Sequence, residues 1–231
     1  MMNAINTYLD AAILKPEMSR AEVEAAVALC VPYQPRTFCV RPADIDWFKP
    51  VCAQHGIGLC VVLGFPHGDM LSASKADEAA RYVEAGVAEI DMVSNFGWVR
   101  SGMWKAVRKD IEKVAQITTP AGTPLKVIFE TVHLDECAVR TLVDVCVDAG
   151  AQFVKTSTGF NGDGANPEVV GWMLDAAAGR IEVKPSGGIR NRETAEAYVR
   201  MGATRLGVGF GGVPAICDGD GGAGSGSGEG Y

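Results

Sequence analysis

Three of the nine lysines, Lys126, Lys155 and Lys184, sit inside apolar runs of strand character: Pro-Leu-Lys-Val-Ile-Phe, Phe-Val-Lys-Thr-Ser-Thr and Glu-Val-Lys-Pro-Ser. Burial disfavours an ammonium, and like charges held a few ångströms apart depress one another's pKa. Lysines on three consecutive strands are therefore expected to yield a neutral, nucleophilic amine. Such an amine forms a Schiff base with an aldehyde or ketone, and the iminium is an electron sink for making or breaking a carbon–carbon bond. The competing reading is structural, each lysine pairing with a carboxylate, as Lys126 could with Glu130 or Asp91. Asp91, in Ala-Glu-Ile-Asp-Met-Val, is the acidic counterpart, because a carboxylate in an apolar strand needs a cationic or donor partner. Asp10, in Tyr-Leu-Asp-Ala-Ala-Ile-Leu-Lys, is either a second such carboxylate or an Asp that ends a helix or caps a turn.

Glycine marks a further group of candidates. Thr156-Ser157-Thr158-Gly159 follows Lys155, Ser186-Gly187-Gly188-Ile189-Arg190 follows Lys184, and Leu206-Gly207-Val208-Gly209 forms a later apolar run. Exposed backbone N–H groups at such strand ends can cradle an anion.

Eight short apolar runs read as strands: Tyr8–Leu14, Thr37–Arg41, Gly58–Phe65, Glu89–Ser94, Leu125–Glu130, Phe153–Thr156, Ile181–Pro185 and Arg205–Val208. Between them lie amphipathic segments, Arg20–Cys30, Ala43–His55, Ser74–Ala85, Trp98–Thr118, Asp135–Ala149, Pro167–Ala178 and Arg192–Met201. In the third, Ala76, Ala79, Ala80 and Val83 make an apolar stripe. Gly86, Gly150 and Gly202 each follow a helix, where a left-handed cap favours Gly. Strand and helix alternation implies parallel pairing through crossovers. Eight such units in one domain fit a closed (β/α)8 barrel better than the alternative, an open doubly wound sheet. In a barrel, catalytic groups belong at the C-terminal strand ends, and a phosphate site commonly follows the last two strands.

At 231 residues with 48% hydrophobic and 21% charged residues, the chain has the makings of one folded domain over residues 1–216. Its net charge of −7, without a basic run, argues against nucleic acid and anionic membranes as partners. No apolar run approaches a membrane span and Met1 to Asp10 lacks the features of a signal peptide, so a cytoplasmic location is expected. The 7 cysteines, odd in number and without a CxxC spacing, read as reduced core residues, and no metal site is expected. Residues 217–231 are rich in Gly and Ser and read as a flexible tail, ending on Tyr231.

The combination of Lys155-Thr156-Ser157-Thr158-Gly159, Lys184-Pro185-Ser186-Gly187-Gly188-Ile189-Arg190, Glu89-Ile90-Asp91-Met92-Val93, Leu125-Lys126-Val127-Ile128-Phe129-Glu130 and Gly64-Phe65-Pro66-His67-Gly68 closely resembles the 2-deoxyribose-5-phosphate aldolases, from about Tyr8 to Gly209. The resemblance implies a metal-free class I aldolase on a (β/α)8 barrel, interconverting 2-deoxyribose 5-phosphate with acetaldehyde and glyceraldehyde 3-phosphate. It implies Lys155 as the Schiff-base lysine, Lys184 and Asp91 as a proton-transfer pair, and Lys126 as the residue holding Asp91. Thr158, Gly159, Gly187 and Gly188 would touch substrate or phosphate, largely through backbone, and a homodimer is expected on family grounds. Some members end in a flexible tail with a terminal Tyr. Fifteen flexible residues reach roughly 20 Å, enough to bring Tyr231 to a barrel mouth for proton transfer.

Two departures bear on specificity. Where the family usually reads Asp-His-Thr on the first strand, this chain has Asp10-Ala11-Ala12. Where a Ser usually follows strand eight, it reads Gly207-Val208-Gly209-Phe210-Gly211-Gly212. These changes leave the carbon–carbon chemistry in place and weaken the expected preference for phosphate. A sugar-phosphate-binding barrel without catalysis, or an isomerase using acid–base chemistry alone, is the reading from a different functional class.

Overall fold

A computed structural model describes residues 4–219. Eight strands are present: β1 Leu9–Ile13, β2 Thr37–Val40, β3 Gly58–Leu63, β4 Glu89–Val93, β5 Leu125–Ile128, β6 Phe153–Lys155, β7 Glu182–Lys184 and β8 Leu206–Gly209. The helices between them are α1 Arg20–Cys30, α2 Ile45–His55, α3 Ser72–Glu84, α4 Phe96–Arg100, α5 Trp104–Thr118, α6 Glu136–Ala149, α7 Pro167–Ala177, α8 Arg192–Met201 and α9 Val213–Asp218. Consecutive strands from β1 to β7 pair in parallel, and β8 pairs in parallel with β1. The seam between β7 and β8 is bridged at Ser186 and Gly207, where the Gly207 amide donates to the Pro185 carbonyl at 2.8 Å. The result is the (β/α)8 barrel that the alternating pattern implies, with the open sheet excluded.

Local chemistry sets the helix ends. Ser19 and Glu22 form a reciprocal capping box on α1, and the side chains of Asp135, Asn166 and Asn191 accept the amides that open α6, α7 and α8. Gly150 and Gly202 close α6 and α8 in the left-handed region.

Alternation along the strands divides the interior into two environments. One face packs against the helices in the main core, as Ile90 and Met92 of β4 do. The other face points into the barrel. On the β1–β3 side it carries a small apolar cluster of Ala12, Leu14, Cys39, Cys60 and Val62, with Phe65 and Phe160 against it. On the β4–β8 side it carries charge: Glu89, Asp91, Lys126, Lys155, Lys184 and Arg205 are all buried.

Three expectations need correction. The segment Trp98–Thr118 is two helices, α4 and α5, because Gly102 adopts φ +66° and breaks the run. The buried stripe of α3 is Lys75, Ala79 and Tyr82, while Ala80 is exposed. Lys75 turns inward because the Asp110 carboxylate on α5 meets it at 2.6 Å and the Val93 carbonyl accepts a second bond at 3.0 Å, partners on other elements that a one-helix pattern does not reveal. Finally, α9 runs to Asp218, so Cys217 and Asp218 are helical; Tyr231 and most of the 217–231 segment lie outside the described residues. Among the described residues no helix is long and apolar enough to cross a membrane.

Candidate active site

The pairing register brings the lysines together. Asp91 on β4 sits opposite Lys126 on β5, and Lys155 on β6 sits opposite Lys184 on β7. All of them point into the barrel, and they converge on a single carboxylate. Asp91 accepts from Lys126 at 2.7 Å through Oδ1 and, through Oδ2, from Lys155 at 2.9 Å and Lys184 at 2.7 Å. The structural alternative for Lys126 is thus resolved in favour of Asp91. Glu130 is engaged elsewhere: its carboxylate accepts from the Thr158 amide at 3.0 Å, from the Thr158 hydroxyl, and from Asn161 Nδ2 at 2.7 Å. Glu130 adopts φ +59°, which turns the chain at the end of β5 toward that loop.

Asp10 is a strand residue, fully buried on β1, not a helix end or turn cap. Lys184 donates to its Oδ2, and Thr37 and Arg205 each donate to its Oδ1 at 2.8 Å. Arg205 also grips Glu89 with two bonds of 2.6 and 3.0 Å, and Lys126 reaches Glu89 at 2.6 Å. The sequence alone assigns no role to Arg205 or Glu89. Period-two alternation places Glu89 on the same face as Asp91, but nothing local marks Arg205.

Burial and charge pull against each other here, and charge prevails. Burial alone would protonate Asp91 and Asp10, yet the neighbouring lysines, with Arg205 beside Asp10, hold both carboxyls below their ordinary value near 3.8. Burial alone would deprotonate Lys126 and Lys184, yet Asp91 and Asp10 push both amines above 10.5. Two of the three lysines are thus fixed as cations around the third. Because the carboxyls are depressed in the fold, the stability they contribute is complete above the unfolded pKa near 4 and is lost as pH falls below it. The urea midpoint should therefore hold level from about pH 5 to neutrality and drop below about pH 4, and a decline that begins between pH 5 and 7 would contradict this balance.

The thiols of Cys39 and Cys60 lie with Asp91 close enough for one cation to be shared, within 4.8 Å. Ammonium groups already occupy both Asp91 oxygens, and a divalent ion would have to displace them against their repulsion. The donor set therefore suits lysine chemistry better than a metal.

At the mouth, the glycines work by closeness. A Cβ on Gly187 would lie 2.8 Å from Gly164 Cα and 3.7 Å from Gly159 Cα, so the loops after β6 and β7 meet backbone to backbone. Gly188 is exposed at φ +77° with open space beside it, and Gly209 is half-buried at the end of β8. Thr158 contributes its amide and hydroxyl to Glu130, holding the loop in place. Gly207 faces Ser186, whose Oγ and Cβ would stand 2.5 and 2.8 Å from an added Cβ, with Lys184 Cε at 3.3 Å. Gly207→Ala should cost about 1–3 kcal/mol in chemical denaturation and reduce turnover by displacing Lys184; an unchanged midpoint would show that the seam has room.

The sequence profile of the DeoC/LacD family aldolases matches residues 9–213. The chain is 40% identical to a deoxyribose-phosphate aldolase of Mannheimia succiniciproducens over 204 residues, 88% of this chain and 90% of that protein. It is 39% identical to deoxyribose-phosphate aldolase 1 of Staphylococcus aureus over 88% of this chain and 92% of the relative. Among solved structures, a tetrameric deoxyribose phosphate aldolase from Aeropyrum pernix superposes with a TM-score of 0.84 at 29% identity, covering 93% of this chain and 89% of that one.

Proposed function

This chain belongs to the DeoC/LacD family of aldolases, and from that premise we propose that it reversibly cleaves 2-deoxy-D-ribose 5-phosphate to acetaldehyde and D-glyceraldehyde 3-phosphate through a Schiff base on Lys155. The observation that carries this reading is the convergence of three lysines on Asp91, with Lys126 and Lys184 held as cations. A third positive charge among them is unfavourable, so Lys155 is the amine that gives up its proton and attacks the aldehyde carbon of the open-chain sugar.

The carbinolamine forms as the Lys155 nitrogen bonds to that carbon and the carbonyl oxygen takes a proton. Lys184 and Asp91 relay this proton, then deliver another as water leaves and the iminium forms. The substrate's 3-hydroxyl next loses its proton, the C2–C3 bond breaks, and its electron pair flows into the iminium to give an enamine. Glyceraldehyde 3-phosphate departs, the enamine carbon is protonated, and water hydrolyses the iminium to acetaldehyde and free Lys155. Lys126 positions Asp91 throughout, and Asp10 anchors Lys184.

The phosphate belongs at the C-terminal end of β6–β8, held by backbone N–H groups around Gly159, Gly187, Gly188, Gly207 and Gly209. Among the described residues no serine follows β8, and Phe210 stands half-buried there. Ala12 replaces a hydroxyl-bearing residue inside the barrel, next to an apolar wall that includes Phe65 and Phe160. These features favour a broadened substrate range that includes unphosphorylated 2-deoxyribose and small aldehydes. Self-association and the one-domain organisation over residues 1–216 belong to the same reading.

Acetaldehyde release from 2-deoxyribose 5-phosphate and from 2-deoxyribose, measured side by side, tests it. Turnover of both is expected, with the phosphate preference about tenfold narrower per missing charge-assisted hydrogen bond than in the Staphylococcus aureus relative. No cleavage of either sugar would favour a binding barrel instead, and isomerised sugar without acetaldehyde an isomerase.

A further inference from the structure

The charges beside Lys155 close into a ring that does not include it. From Asp10 the ring passes to Lys184, which reaches Asp91 at 2.7 Å; Asp91 holds Lys126 at 2.7 Å, and Lys126 reaches Glu89 at 2.6 Å. Glu89 takes two bonds from Arg205, and Arg205 returns to Asp10 at 2.8 Å. Three carboxylates alternate with three cations, so the ring is neutral as a unit. Lys155 joins it as a seventh group at Asp91, and its proton decides whether the buried cluster carries a net charge.

Arg205 and Glu89 hold the end of this ring farthest from the barrel mouth. Glu89 opens β4 and lines a cleft of about 330 Å³ together with Arg36, Thr37 and Gly58, at the N-terminal ends of the strands. Arg205 precedes β8 and lies 5.3 Å over the ring of Phe153, with Lys126 5.8 Å from the same ring. Phe153 is two residues before Lys155 on β6, so its ring forms the floor on which these cations rest beneath the amine.

We infer that Arg205 and Glu89 are positioning residues that fix the net charge of this ring from the far end of the barrel and thereby set how readily the Lys155 amine loses its proton. The inference rests on Lys155 being the Schiff-base lysine. Each of β1–β7 brings a titratable or charged group toward this interior, Asp10, Cys39, Cys60, Glu89 with Asp91, Lys126, Lys155 itself and Lys184, and Arg205 stands just before β8. Glu130, past the C-terminal end of β5, is engaged by Thr158 and Asn161. The remaining balance depends on the ring, and the sign of any change follows from it. Loss of the Arg205 charge leaves the ring negative, which stabilises the Lys155 ammonium and raises its pKa. Loss of the Glu89 charge leaves it positive, which lowers that pKa.

The test is borohydride trapping of acetaldehyde across pH, read by intact mass as the fraction of protein carrying an ethyl group. For Arg205→Gln the midpoint of adduct formation should move up by about one pH unit, and for Glu89→Gln down by a similar amount. The double variant should return near the native midpoint, and Arg205→Lys should restore it. Shifts in the same direction, or activity losses with unmoved midpoints, would assign the pair a structural role only and overturn the inference. Glu89→Gln preserves side-chain shape, so its downward shift is decisive even where Arg205→Gln does not fold. An absence of adduct in the native protein would instead remove the Schiff-base reading itself, and this inference with it.

Discussion

Lys155→Ala is expected to reduce cleavage of 2-deoxyribose 5-phosphate on the order of 10⁴-fold or more, while leaving the fold in place. The amine is the covalent partner in every step of the proposed reaction, so no neighbouring group compensates for its loss. Lys184 is too strongly held as a cation by Asp10 and Asp91 to substitute as a nucleophile near neutral pH. Because the ring of charges is neutral without Lys155, removing the side chain should leave urea stability within about 1–2 kcal/mol of native, mostly a cavity effect. A turnover loss of tenfold or less, in a folded protein, would mean that the reaction does not pass through this lysine.

Asp91→Asn should damage both stability and activity. The carboxylate is buried and shared by Lys126, Lys155 and Lys184. A neutral amide in its place leaves Lys126 and Lys184 facing each other across a group that compensates neither. Removing one member of a buried ionic cluster typically costs 3–5 kcal/mol, and equilibrium denaturation in urea should show a loss of about that size. Turnover should fall by roughly 10²–10⁴, the range for loss of an acid–base group. The acid limb of stability should become shallower as well, because one of the depressed carboxyls is gone. Native stability in this variant would contradict the charge balance on which the mechanism depends.

Much of this was legible in the sequence, and the exceptions share a physical cause. The strands announced themselves through short apolar runs, and the lysines stood out because an ammonium inside such a run demands an explanation. Asp91 was identifiable for the same reason. The partners of these residues were less visible, since the barrel closes by joining the ends of the chain: Arg205 reaches Asp10 across 195 positions. Charged residues at strand starts look like ordinary surface residues until closure buries them, so the sequence assigns no partner to Glu89 or Arg205. Lys75 on α3 was hidden in the same way by a partner, Asp110, on a different helix. Glu130 looked like a candidate partner for Lys126 because both sit on β5's line. The left-handed turn at Glu130 aims its carboxylate at the next loop instead, and sequence spacing carries no sign of that turn.

The apolar side of the barrel mouth was legible only in part. The replacement of polar residues by Ala11 and Ala12 could be read directly, but period-two alternation turns only Ala12 inward, while Ala11 joins the helix-facing core. Of the two changes on β1, Ala12 is therefore the one positioned to affect substrate preference.

The central claim is that Lys155 is the nucleophile, and reductive trapping addresses it most directly. The native protein, incubated with acetaldehyde and borohydride and then digested and mapped by mass spectrometry, should carry one ethyl group on the peptide containing Lys155, and Lys155→Ala should carry none. The absence of an adduct from the native protein, or an adduct of equal yield in Lys155→Ala, would contradict it.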